Sequence, residues 1–146
     1  MPFFTLSRAN IALSTTNDSL TIISAASRQL RIWRIGIAGV GATTGPAALG
    51  VYRSTGGTTG GAAVTPKLKM TEQGAAAFTN FTTWAAQPTV TGDPLHQLGF
   101  RDSGGNNAWQ ALSPDRTILL RNLEQASFRS IIGTISANID IEVEEI

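Results

Sequence analysis

The sequence predicts an all-β chain: an antiparallel β-sandwich with long loops and little helix. Three observations carry this. Apolar residues alternate with polar ones over ten positions near the C-terminus, the period-two signature of a strand with one face in a core. β-Branched and aromatic residues collect in several further short runs. Glycine, proline, asparagine and aspartate separate those runs. Seven or eight short strands joined in this way argue for a sandwich or a barrel. The expected architecture is a sandwich wound as a jelly roll, one domain spanning residues 1–146.

Taken in order, residues 1–27 are expected to hold an N-terminal arm and a first strand. Within them "NDSLTIISA" (17–25) opens on a turn pair and continues as a strand. "RQLRIWRIGIAGV" (28–40) reads as a long strand, bent at one of its glycines. "ALGVYRS" (48–54), "LGFRD" (98–102), "AWQAL" (108–112) and "TILLRN" (117–122) are shorter strands. "SFRSIIGTI" (127–135) leads into the last one. There Ile135, Ala137, Ile139, Ile141 and Val143 alternate with Ser136, Asn138, Asp140, Glu142 and Glu144. At the usual strand rise that run extends about 33 Å. "GATTGP", "GDP", "DSGGNN" and "SPD" are the breakers between elements. The segment "TEQGAAAFTNFTTWAAQP" (71–88) resists the pattern. Its alanines allow a turn or two of helix, while Gly74 and the threonines oppose it. It reads as a long excursion between two halves of the sandwich, and loops of that length usually carry function or contact a partner.

Composition narrows the function classes. Only 14% of the 146 residues are charged, against about 25% in an average globular protein. Glycine, alanine, serine and threonine fill the gap, which suits close packing against other protein because little charge must be stripped of water. Net charge is +1, so no global field draws nucleic acid or an anionic membrane. The distribution is lopsided: Asp140, Glu142, Glu144 and Glu145 fall in the last seven residues, leaving +5 on the rest. That acidic tail either neutralises a basic surface, on this chain or a neighbour, or is a solvated strand edge that discourages stray pairing. There is no cysteine, which excludes disulfides and thiolate metal sites. The start "MPFFTLSRAN" lacks the pattern of a signal peptide, and no apolar run reaches membrane-spanning length. The expectation is a soluble chain made in a cytoplasm, with no cofactor.

The chemistry-bearing motifs are weak. "RSTGGTTGG" (53–61) looks like a phosphate loop but lacks the G-K-[ST] ending, and its first following lysine is Lys67, beyond Pro66. "GVGATTG" (39–45) lacks the βαβ unit of a dinucleotide site. A surface loop, or a loop ordered by a partner, fits these glycines better. His96 is the only histidine, too few for an imidazole metal centre, and no G-x-S-x-G elbow accompanies it. It is expected in a loop after Pro94. Asp93 and Asp102 have no evident pairing as glycosidase acids. On a regular strand Arg28 and Arg34 share a face while Arg31 and Trp33 point the other way, so the arginines do not form a nucleic-acid stripe. Trp33, Trp84 and Trp109 are more often core or interface anchors than sugar platforms.

"RSTGGTTGGAAVTP" (53–66), "TTWAAQPT" (82–89), "AWQAL" (108–112), "SFRSIIGT" (127–134) and "EVEEI" (142–146), in this order and spacing, resemble a group of small phage virion proteins of the capsid decoration, or cement, type. The likeness begins near residue 30. It implies a jelly-roll-like sandwich with no enzymatic activity on the capsid surface, stabilising the assembled head through contacts with the major capsid protein and self-association as a homotrimer. Under that reading the contact residues are Arg53, Thr55, Gly56, Gly57, Thr58 and Thr59 in the glycine loop. Phe78, Phe81 and Trp84 in the excursion and Glu142, Glu144 and Glu145 in the tail join them. The alternative is a tail or fibre module that binds host-surface glycan, which requires an exposed Trp or Tyr beside polar side chains.

Overall fold

The computed structural model describes residues 1–42, 44–59, 61–69 and 74–146. They form thirteen strands. These are β1 (Phe3–Leu13), β2 (Leu20–Ile23), β3 (Leu30–Val40), β4 (Pro46–Thr55), β5 (Thr58–Thr59), β6 (Lys67–Leu68), β7 (Thr79–Phe81), β8 (Trp84–Ala86), β9 (Thr89–Arg101), β10 (Ser103–Gln110), β11 (Ile118–Leu120), β12 (Gln125–Ser130) and β13 (Ile135–Glu145). A single 3-10 turn, Pro114–Arg116, is the helical content among the described residues. The excursion supplies β7 and β8 rather than helix; its residues 71–73 lie outside the described ones.

Eleven of the strands make two antiparallel sheets, and β5 with β8 makes a separate two-stranded ribbon. One sheet runs β10, β3, β13, β1, β6, with β11 also on β3; the other runs β7, β2, β12, β4, β9. Eight strands are nested: β1 pairs β13, β2 pairs β12, β3 pairs β10 and β4 pairs β9. This is the pairing of one long hairpin folded over on itself. β13–β3 and β12–β4 then complete the two sheets. One apolar cluster joins them, drawing Ile35, Ile139, Ile141 and Leu6 from the first and Leu49, Leu98 and Phe128 from the second. Its burial is the main stabilising term.

β13 matches its alternation, with Ile135, Ala137, Ile139, Ile141 and Val143 all buried. It is not an edge, however: β3 and β1 flank it. Nor are residues 1–27 an arm. β1 and β2 sit in different sheets, and β1 follows β13 along most of its length.

Four bulges in the two sheets set the geometry against simple alternation. Glu142 lies opposite Arg34 and Val143 opposite Ile32, so Trp33 is an extra residue on β3. The parity of β3 switches there: Ile32 and Ile35 are both buried, and Arg31, Trp33 and Arg34 share the outer face. The expectation that Arg31 and Trp33 oppose Arg34 is therefore corrected. A second bulge lies between Arg8 and Ile11 of β1, where Asn10 takes a positive φ of 50° and its N–H meets Asn138 Oδ1 at 2.7 Å. The third falls in β9, where Gly92, Asp93, Pro94 and Leu95 loop out between the Val51–His96 and Arg53–Thr91 pairs. "GDP" thus interrupts a strand without ending it, and His96 stands on β9 rather than in a loop. "DSGGNN" is likewise mostly strand, opening β10 with a bulge at Gly104 and Gly105.

Candidate functional site

The glycine loop and the excursion join β4 to β9, and buried polar groups hold them. The outer face of β12 carries Ser127 and Arg129, and the outer face of β2 carries Thr21. Asp18 lies over them: Thr21 and Ser127 donate to one carboxylate oxygen and the Arg129 guanidinium to the other. Ser54 Oγ is 2.7 Å from Ser127 Oγ. The excursion roofs this network. Trp84 Nε1 donates to Thr21 Oγ1 at 2.9 Å, Arg129 donates to Pro88 O at 2.7 Å, and the Asp18 N–H donates to Gln87 Oε1 at 2.8 Å. Asp18 and Arg129 are 5% and 8% exposed. A charge at that depth persists only because it is paired and hydrogen-bonded.

Glu145 holds the other end of the excursion. It is 1% exposed, and its carboxylate accepts the N–H groups of Ala77 at 2.8 Å and Phe78 at 3.1 Å. Arg28 faces the same carboxylate at 3.6 Å. Phe78 then enters the core edge-to-face against Phe4, 5.4 Å between ring centres.

The glycine loop folds against this roof. β5 pairs β8, with Thr58 opposite Ala86 and Thr59 opposite Trp84. Gly57, at φ +90°, packs so closely on the Trp84 ring that a Cβ would sit 2.9 Å from it, so only glycine fits. Thr55, Gly56 and Thr58 remain exposed.

Arg53 stands where two clefts meet. Its guanidinium bridges the sheets, donating to Glu124 Oε2 at 2.9 Å and to Leu119 O at 3.1 Å. One cleft, about 320 Å³, lies between Thr55–Gly56 and the turn Arg121–Glu124. The other, about 400 Å³, is walled by Leu95, His96, Trp109, Arg116 and Ile118. His96 packs tilted against Trp109 with ring centres 4.9 Å apart, and burial lowers its pKa below the ordinary imidazole value. The bulge was marked by "GDP", whereas Arg121 and Asn122, expected in the strand 117–122, lie in the turn that follows Leu120; Asn122 within "RNLE" is the cue to that turn.

The tail acids are committed within the chain. Glu144 lies 3.6 Å from Arg31 and accepts Trp33 Nε1 at 2.8 Å; Asp140 pairs Arg34 at 2.9 Å, and Glu142 pairs Lys69 at 2.7 Å. Of the expected contact residues, Phe78, Glu144 and Glu145 are buried. Phe81 and Trp84 are half-buried on each other, 5.0 Å between ring centres. Arg53, Thr55 and Gly56 are brought together, and the side chain of Thr59 lies outside the described residues. Asp102 is buried at the β9–β10 corner, accepting the Ser136 N–H at 3.2 Å, while Asp93 is exposed on its bulge. Among the described residues no group of three or more His, Asp or Glu side chains is placed to hold a metal ion.

No protein-family model matches this chain, and no curated protein matches it. Among solved structures it is similar to the VP2 subviral particle of infectious bursal disease virus, at 10% identity and a TM-score of 0.21, over 97% of this chain and 40% of that one. A structure of the Gt strain of the same virus gives 9% identity and a TM-score of 0.22, over 99% and 42%. The chain spans about two-fifths of the length of these structures. Scores this low establish no shared fold.

Proposed function

We propose that this chain is a virion structural protein that decorates an assembled phage head: a cement protein on a jelly roll, trimeric, with no catalytic role. The nested pairing of eight strands supports the jelly-roll reading. Such rolls recur in viral capsid and lectin domains, and that analogy ranks readings without choosing a function. The tail-acid ion pairs leave the outer surface low in free charge, which suits burial against protein.

The observation that carries the proposal is the way both long loops are fixed from inside. Asp18 with Arg129 holds one end of the excursion and Glu145 the other, and Gly57 on Trp84 ties the glycine loop to it. A surface already ordered in the free chain loses little entropy on docking. Binding the assembled shell and not its free subunits then stabilises the shell by mass action, and copies on a lattice add avidity. Thr55, Gly56 and Thr58, with Arg53 and the exposed edges of Phe81 and Trp84, form the proposed contact. Phe78, Glu144 and Glu145 are left out of it.

The glycan reading is weaker. Trp84 spends its indole N–H on Thr21, and Trp109 packs against His96. Immunogold labelling of purified virions against this chain tests the proposal. Label on heads is the expected result; label on tails, or particles without label, overturns it.

A further inference from the structure

Two observations around Arg53 point to one kind of partner. The first is charge. Arg116 and Arg121 flank β11, and neither side chain forms an ion pair among the described residues. Of the acids nearby, Glu124 is held by Arg53 and by the Arg121 N–H, Asp115 is hydrogen-bonded by Ser113, which lowers its pKa, and Asp93 is exposed on the same bulge as Leu95. The second is apolar exposure. Leu123 is 60% exposed at the tip of its turn and Leu95 is 43% exposed on its bulge. Leu123 also has φ +60°, a conformation that leucine adopts at a cost and that clusters where a contact is made. The two clefts share Arg53 as a wall, so Arg116, Leu95 and Leu123 lie along one surface, and Arg121 opens the turn that carries Leu123.

We propose that this surface binds an extended acidic segment of a different protein, its carboxylates on Arg116 and Arg121 and an apolar side chain against Leu123. Arginine with large apolar side chains is the composition of interface anchors. A second copy of this chain does not fit as the donor. Its tail acids Asp140, Glu142, Glu144 and Glu145 are already paired with Arg34, Lys69, Arg31 and Arg28. The inference rests on the cement reading for the partner's setting, and the shell protein would carry the segment.

The test uses a fluorescein-labelled alternating Glu–Leu octapeptide, read by fluorescence anisotropy. A Lys–Leu octapeptide and a heparin oligosaccharide are the rival probes. The Glu–Leu peptide should bind and weaken with added salt. Arg116→Glu with Arg121→Glu should weaken it roughly tenfold or more, while Lys67→Glu with Arg101→Glu, outside the clefts, should not. Leu123→Gly should weaken binding while the thermal midpoint holds or rises, because glycine relieves the positive φ. That pairing separates a contact role from a folding role. No binding of the peptide, equal loss in both charge-reversal pairs, undiminished binding by Leu123→Gly, or tighter binding of heparin each overturns the inference. Head labelling of virions would stand unaffected by any of these, so the two proposals fail separately.

Discussion

Asp18 and Arg129, 111 residues apart in the chain, form an ion pair on the outer side of the second sheet, sealed under Trp84 and Pro88. Asp18→Ala should cost about 3–5 kcal/mol, because it strands a buried guanidinium. Replacing both partners, as in Asp18→Leu with Arg129→Leu, should cost less than the single change. Urea unfolding of the three proteins measures this. A double variant less stable than Asp18→Ala would show that the pair itself, and not the stranded charge, dominates.

Glu145 should govern how firmly the excursion is held. Glu145→Ala leaves the Ala77 and Phe78 N–H groups without their acceptor, a loss of about 2–4 kcal/mol. Amide hydrogen exchange at those two residues should accelerate more than at Ile139, which pairs inside the sheet. Uniform acceleration would mean that the whole sandwich loosens and that Glu145 is no local anchor.

Gly39 sits against the backbone of Arg101 and Asp102, so a Cβ there would overlap their carbonyl groups. Gly39→Ala should destabilise by about 1–3 kcal/mol or more, since backbone must move. Gly45→Ala meets nothing within 4 Å among the described residues and should be neutral or slightly stabilising. Thermal midpoints of the two variants give the comparison.

His96 should make stability depend on pH. Burial against Trp109 lowers its folded pKa below the unfolded value of 6.5. As pH falls through 6.5 the unfolded chain takes up the proton first, so stability present at higher pH is lost progressively below that point. His96→Gln should flatten this dependence between pH 7.5 and 5, read from urea midpoints at each pH.

The strands whose parity is unbroken were readable from sequence: β13 throughout, β4, and the start and end of β3. β1 was hidden because its bulge at Asn10 moves the apolar set from Phe4 and Leu6 to Ile11 and Leu13, which breaks the period of two. The bulge at Trp33 did the same to the arginines of β3. β9 was legible only at its end, as 98–102, because Gly92–Leu95 loops out of it. Of the candidate site, the glycine loop announced itself through composition. Its counterpart, the Arg121–Glu124 turn, did not, and neither did Asp18 beneath the roof. Those contacts are long-range pairings between residues unremarkable in their own neighbourhoods.

Because β13 is the shared neighbour of β1 and β3, neither can complete its hydrogen bonding until residues 135–145 have left the ribosome. At ~5–20 residues per second, translation keeps β1 waiting on the order of ten seconds. A chain stopped before Ile135 would display two long open strand edges at once, the kind that aggregate. Folding during synthesis therefore turns on the emergence of β13, and anything that shields β1 until then should raise the yield of folded product.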